Sequence, residues 1–329
     1  MRDAVSCLIR AYAALGILIA TALAPAAPAF SQSFPTKAVR VVTGDPGGGT
    51  DFVGRLVAQV LGNALGQPMI VENRGGASGI LAAQSVAKAA PDGHTLLLYG
   101  NPIWILQYLR DDVPFDAVKD FSPITLAVRS PNILVLHPAV PIDSVRALIA
   151  SAKARPGSLN YAATGSGTPN HMAAELFRAM AGVDLVRINY KGTSAAMNGL
   201  LRNDVQIMFA TVAAVLPHIK AGKLKVLGVT SAQPSALLPD VPTVAASGLP
   251  GYESGSAYGY FAPAGTSTTV ITRLNQEIAG ILRRTDMREK LLGAGVESVG
   301  STPEEFAAVI KSEMTRMGKV IKDAGIRED

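Results

Sequence analysis

The sequence predicts an α/β protein of two lobes, each a mainly parallel sheet flanked by helices, with a ligand cleft between them. Three observations lead there. Short β-branched runs alternate with amphipathic segments along most of the chain, at the spacing of parallel sheets covered on both faces. A central block, residues 129–246, carries its own run of βα units. Two glycine-rich loops, one in each half of this arrangement, each join the end of a strand to the start of a helix.

The chain opens with Arg2 and Arg10, an uncharged apolar stretch over 11–24 and the small residues Ala27-Pro28-Ala29. This is the three-part pattern of a secretory signal peptide over residues 1–29, cleaved near Ala29. The apolar stretch is shorter than the roughly 20 residues that span a bilayer. Cys7 is the single cysteine and lies inside this segment, so the exported chain has no thiol for a disulfide, a nucleophile or a metal.

Residues 30–128 and 247–329 are expected to form the first lobe, and residues 129–246 the second. In the first, a strand at 39–43 precedes a helix at 50–65, whose Val53, Leu56, Val57, Val60 and Leu61 fall at helical spacing. A strand at 69–72, a helix at 78–89 and a strand at 95–99 follow. The second lobe reads as strands at 133–137, 159–162, 186–189, 205–210 and 224–230, with helices at 144–154, 169–181 and 194–202. After a strand at 258–262, helices at 269–284, 287–292 and 303–324 close the chain. Thr302-Pro303-Glu304-Glu305 is a helix start with a capping box, Thr302 at the N-cap and Glu305 three residues on.

The net charge of +5 is spread without a basic run and aromatics make up 5% of the residues, which gives nucleic-acid binding no support. Of the four histidines, none has a metal-ligand or H-E-x-x-H spacing. No G-x-S-x-G elbow occurs. Catalytic residues, metal and cofactor are therefore all read as none.

The first glycine loop is Gly47-Gly48-Gly49-Thr50-Asp51, with Thr50 or Asp51 expected at the helix N-cap. Glycines let the backbone approach a ligand, and N–H groups at a helix start favour an anion. The second loop runs through Thr164, Gly165, Ser166 and Gly167 to a helix starting at about Pro169, with His171 in its first turn. Two such helix starts can face each other across a cleft at the carboxyl ends of strands. Asn101, after the third strand, can cap the next segment or donate an amide to a ligand. The pair Ser166 and His171 leaves an exported hydrolase open, although no spacing places a base.

Phe34-Pro35, the first glycine loop, Val71-Glu72-Asn73-Arg74, Pro91-Asp92-Gly93, the loop at 160–171, Tyr190-Lys191-Gly192, Leu238-Pro239-Asp240-Val241-Pro242-Thr243 and Ala262-Pro263-Ala264-Gly265-Thr266 occur in this order. With them the chain resembles the solute receptors of tripartite tricarboxylate transporters, the Bug family, over essentially everything after the leader. The resemblance implies a periplasmic binding protein of type II-like, Venus-flytrap architecture. Such a protein closes on a small organic carboxylate by hinge motion and delivers it to membrane permease subunits. It implies ligand contacts from Gly48, Gly49, Thr50, Asp51, Thr164, Gly165, Ser166, Gly167 and His171. A monomer is expected, and a ligand sensor of the same fold stays open.

The chain departs from the family in two places. Phe209-Ala210-Thr211 stands where the family has Phe-Asp-Asn, and Tyr258-Gly259-Tyr260 where it has a tryptophan before the glycine. Ala210, Thr211 and Tyr258 are expected to border the cleft and to alter its choice of acid. Ile103 and Trp104 are expected to make the wall beside Asn101 apolar, favouring an alkyl or aromatic acid.

Overall fold

The computed structural model describes residues 34–75, 79–164 and 167–327. The leader and its cleavage site lie outside the described residues. From Lys37 onward the chain forms one unit, and everything below concerns that unit.

The elements run in the order β1 (Val39–Thr43), α1 (Gly49–Leu65), β2 (Met69–Asn73), α2 (Ile80–Ala87), β3 (Thr95–Gly100), α3 (Pro102–Leu109) and β4 (Phe121–Leu136). Then come α4 (Val145–Ala154), β5 (Asn160–Ala163), α5 (Pro169–Ala181), β6 (Val186–Asn189), α6 (Thr193–Leu201), β7 (Ile207–Thr211), α7 (Val212–Lys220) and β8 (Lys225–Val229). The chain finishes with β9 (Gly255–Pro263), α8 (Thr268–Arg283), α9 (Thr285–Gly293), β10 (Glu297–Ser298) and α10 (Pro303–Asp323).

The strands follow the order β2-β1-β3-β9-β4-β7-β5-β6, with β10 and β8 also paired to β4. The outer pairs β1–β2, β1–β3, β5–β6 and β5–β7 are parallel, as helical crossovers require. The central strands differ from expectation, since β9 runs antiparallel to β3, and β4 antiparallel to β9, β7, β8 and β10. Each half-sheet is thus mixed where the two meet.

β4 is the element that joins them. Its pairing with β9 ends at Pro131, and its pairing with β7 starts at Asn132. The expected strand at 133–137 is only the second half of a 16-residue strand. Pro123 and Pro131 disguise the first half, because proline withholds a ladder donor. The point of crossing is tied by Thr230, whose Oγ1 accepts the Asn132 N–H at 2.7 Å and donates to the Ser254 carbonyl at 2.7 Å.

α3 was not foreseen as a helix. Ile103, Trp104, Ile105, Leu106 and Leu109 are all buried, so it shows no polar face and no 3.6-residue stripe. Its Trp104 ring packs edge-on against Phe306 of α10 and tilted against Phe261 of β9. The capping box is formed: Thr302 Oγ1 accepts the Glu305 N–H at 3.1 Å and Glu305 Oε2 accepts the Thr302 N–H at 2.9 Å.

Candidate functional site

The first loop is built by the close of β1 and the start of α1. Gly47 has φ +74°, a conformation that a side chain resists. The N-cap of α1 is Gly48, not Thr50 or Asp51, and it has no side-chain oxygen to offer the first N–H groups of the helix. Asp51 sits inside the first turn and is 5% exposed. One carboxylate oxygen accepts the Gly47 N–H at 2.9 Å, and the other accepts Asn73 Nδ2 at 2.8 Å and meets Arg55 Nε at 2.9 Å. Arg55, together with the bonds from Asn73 and Gly47, holds this carboxyl down to about 2 despite its burial. Asp51 therefore shapes the loop from beneath, and Asn73 extends the tie to β2 by donating to the Gly44 carbonyl at 3.0 Å.

Tyr258 closes one side of this loop. A Cβ on Gly49 would lie 2.8 Å from its hydroxyl, and one on Gly100 2.7 Å from its ring, so both glycines make room for it. Its half-buried setting pushes the hydroxyl pKa up. Tyr99, part of the motif Tyr99-Gly100-Asn101-Pro102 but given no role of its own from the sequence, lies against the loop as well: a Cβ on Gly44 would be 3.2 Å from its ring, and one on Gly79 2.4 Å. The signal was its place at the end of β3, beside β1.

The second loop joins β5 to α5. Gly165 and Ser166 lie outside the described residues. Thr164 Oγ1 accepts Asn170 Nδ2 at 3.0 Å, a partner the sequence reading did not name. Gly167 has φ +73°, and a Cβ there would lie 2.6 Å from Leu109 Cδ1, so this loop is seated against α3. The N-cap of α5, Thr168, makes no side-chain cap bond, in contrast to Ser144, Ser267 and Thr302 at the starts of α4, α8 and α10. Asn132 of β4 donates to the Pro169 carbonyl at 3.2 Å, which links this loop to the crossing strand.

His171 is 1% exposed, and its Nδ1 accepts the Gly167 N–H at 3.2 Å. Its Nε2 faces Glu175 at 3.8 Å, and Glu175 in turn accepts Tyr161 Oη and binds Arg178 through both oxygens at 2.8 and 2.9 Å. Burial, reinforced by Arg187, lowers the imidazole to about 4. The ring is neutral near pH 7 and acts as a hydrogen-bond acceptor that pins the loop. It is not placed as a base toward solvent.

The other expected wall residues separate. Thr211 is exposed at the N-cap of α7, opposite Asn132. Ala210 is 2% exposed and packs in the apolar core with Ile133, Val212 and Val229, so it offers no surface to a cleft. Ile207–Thr211 is buried on both faces up to its last residue, which is why strand alternation could not place it. Ile103 and Trp104 are likewise core residues and, contrary to expectation, form no apolar wall beside Asn101. Asn101 is also engaged within the fold. Its Oδ1 accepts the Ala257 N–H at 2.6 Å and its Nδ2 donates to Glu313, which also accepts Trp104 Nε1 at 2.8 Å.

Chemically, the two loops present helix starts without side-chain caps, with hydroxyls of Thr50 and Thr164 beside them. Backbone N–H groups there, with the helix dipole behind them, suit an anion. Among the described residues no cluster of His, Cys, Asp or Glu could hold a metal, and no helix is long and apolar enough to cross a membrane.

Comparison with known proteins agrees with this geometry. Residues 53–326 match the family described as "Tripartite tricarboxylate transporter family receptor". Protein BugT of Bordetella pertussis is 35% identical over 321 residues, 97% of this chain and 98% of its own. Rpa4515 of R. palustris, solved with adipate, has a TM-score of 0.73 and 34% identity, covering 89% of this chain and 99% of its own. MatC from Rhodopseudomonas palustris, solved with bound malate, has a TM-score of 0.70 and 30% identity, covering 88% of this chain and 100% of its own.

Proposed function

The chain belongs to the tripartite tricarboxylate transporter receptor family, and on that premise we propose that it is a periplasmic receptor for a small organic carboxylate. It acts as a monomer, closes on its ligand by rotation of two lobes, and hands it to the permease subunits of a tripartite transporter. The lobes are residues 30–128 with 247–329, and residues 129–246. The hinge lies where β4 exchanges β9 for β7 and where the chain returns before β9. The observation that carries the reading is the pair of helix starts at Gly49 and Pro169, each following a glycine loop and each without a side-chain cap.

In this reading one carboxylate of the ligand is held by N–H groups of the two loops and by the hydroxyls of Thr50, Thr164 and Ser166. Asp51 and His171 do not touch it; they hold the loops in shape. Tyr258 and Tyr99 flank the first loop and select what the carboxylate is attached to. Adipate and malate, bound by two of the similar proteins, define the first ligands to try.

A thermal-shift panel of organic acids, sugars and cations tests this reading. A ligand at a hundred times its dissociation constant adds about 2.7 kcal/mol to stability. Stabilisation by at least one carboxylate, and by no sugar or cation, is the expected result. Stabilisation by a sugar alone would overturn it.

A further inference from the structure

Beside the crossing strands lies a cavity of about 410 Å³, within the range of small-molecule sites. Its walls come from β4 at Arg129, from the segment entering β9 at Glu253, from β10 at Glu297, from α10 at Ser312 and Arg316, and from the loop at 231–234. Asn101 lines its inner end. No residue of either glycine loop lines it, although Gly167 and Pro169 of the second line a small adjoining pocket that shares Asn101, Ser254, Gly255 and Glu313 with it. The first loop follows β1, which is separated from β4 by β3 and β9, three strand spacings or about 14 Å across the sheet.

Two guanidiniums, Arg129 and Arg316, and three carboxyl groups, Glu253, Glu297 and Glu313, line this cavity, and Glu313 is already held by Asn101 and Trp104. Glu253 stands between two guanidiniums, Arg316 at 3.4 Å and Arg129 at 3.9 Å. The longer distance is an ion pair without a hydrogen bond, and a guanidinium has five donors to place. Glu297 also lines the cavity, its Oε1 accepting Ser235 Oγ and, at 2.9 Å, the Ala236 N–H. A simple anion entering here would meet Glu253 and Glu297, and a simple cation would meet Arg129 and Arg316. A molecule carrying both signs satisfies each wall without leaving a charge unpaired.

We propose that this hinge-side cavity is a second binding site, specific for a small zwitterion whose carboxylate pairs with Arg129 and Arg316 and whose ammonium pairs with Glu253 and Glu297. Its occupant touches β4, β9, α10 and the 231–234 loop together, so it bridges segments on both sides of the crossing. Its charged contacts include no residue of the glycine loops.

The test uses L-glutamine as the zwitterionic probe. Glutaramate keeps its skeleton without the ammonium, and 4-aminobutanamide keeps it without the carboxylate. Titration calorimetry is run on the wild-type chain, on Ser312→Trp, which fills the cavity from an exposed position of α10, and on Arg129→Gln. The wild type binds L-glutamine, and both variants weaken it at least tenfold. Neither single-charge analogue displaces L-glutamine from the wild type. Adipate is titrated against the same three chains, and its affinity stays within threefold, which also shows that the variants are folded. Absence of L-glutamine binding up to 10 mM, undiminished binding in Ser312→Trp, or displacement by glutaramate would overturn the proposal. Failure with adipate alone would count only against the glycine-loop reading.

Discussion

His171 Nδ1 accepts the backbone N–H of Gly167 at 3.2 Å, fixing the second glycine loop from inside the protein. That bond exists only while the ring is neutral. The folded imidazole titrates at about 4, below its ordinary 6.5, because it is buried and near Arg187. Below pH 6.5 the unfolded chain binds the proton more readily than the folded one. This contribution is therefore complete above pH 6.5 and is lost as pH falls toward 4. The displacement corresponds to about 3 kcal/mol. Stability measured by urea unfolding should decline over this window in the wild type and stay flatter in His171→Gln. Equal slopes would show that His171 does not set the dependence.

Asp51 acts in a lower window. Its folded value is about 2 against an ordinary 3.8, so its contribution is present above pH 3.8 and is lost as pH falls toward 2. Asp51→Asn should cost about 2 kcal/mol at pH 7, the size of a hydrogen-bonded partner lost to a charged group. It should also weaken carboxylate binding, because the amide keeps one acceptor oxygen and turns an NH2 toward either Gly47 N–H or Asn73 Nδ2, so one of the two bonds that shape the loop is lost. Unfolding and ligand titration of the same variant measure both effects. An unchanged affinity would mean that the loop needs no such support.

Gly49 and Tyr258 are matched in size. In Gly49→Val the added carbons collide with the Tyr258 ring, which must swing away from the loop. Ligand affinity should fall at least tenfold while the melting temperature changes by only a few degrees. Gly49→Val combined with Tyr258→Ala should recover part of the loss. A double variant no better than the single one would remove Tyr258 from the account.

The capping box gives a control away from the site. Thr302→Ala removes the acceptor of the Glu305 N–H and should lower stability by about 1 kcal/mol, with ligand affinity unchanged. A change in affinity here would indicate that α10 communicates with the glycine loops.

The alternation of β1, α1, β2, α5 and β6 was legible because each is bounded by glycine, proline or a polar cap and shows a clear period. The same reasoning found both loops and the capping box, whose signals lie within a few residues. It failed at α3 and Ala210, where burial on all sides erases periodicity. It also failed to give Asn101 its partner, because Glu313 lies 212 residues away and no local pattern encodes the contact. The internal partners of Asp51 and His171 were not legible for a related reason. A polar residue beside a glycine loop reads the same whether it faces the ligand or the loop's own backbone.

The central claim is that both glycine loops hold one carboxylate. The most direct measurement is calorimetric titration of adipate and malate into the wild type and into Thr50→Val/Thr164→Val. Each hydroxyl lost from a charged ligand is worth about 1.5 kcal/mol. The double variant should therefore bind the better of the two acids about a hundredfold more weakly, with its fold unchanged. Wild-type affinity in that variant would contradict the two-loop clamp.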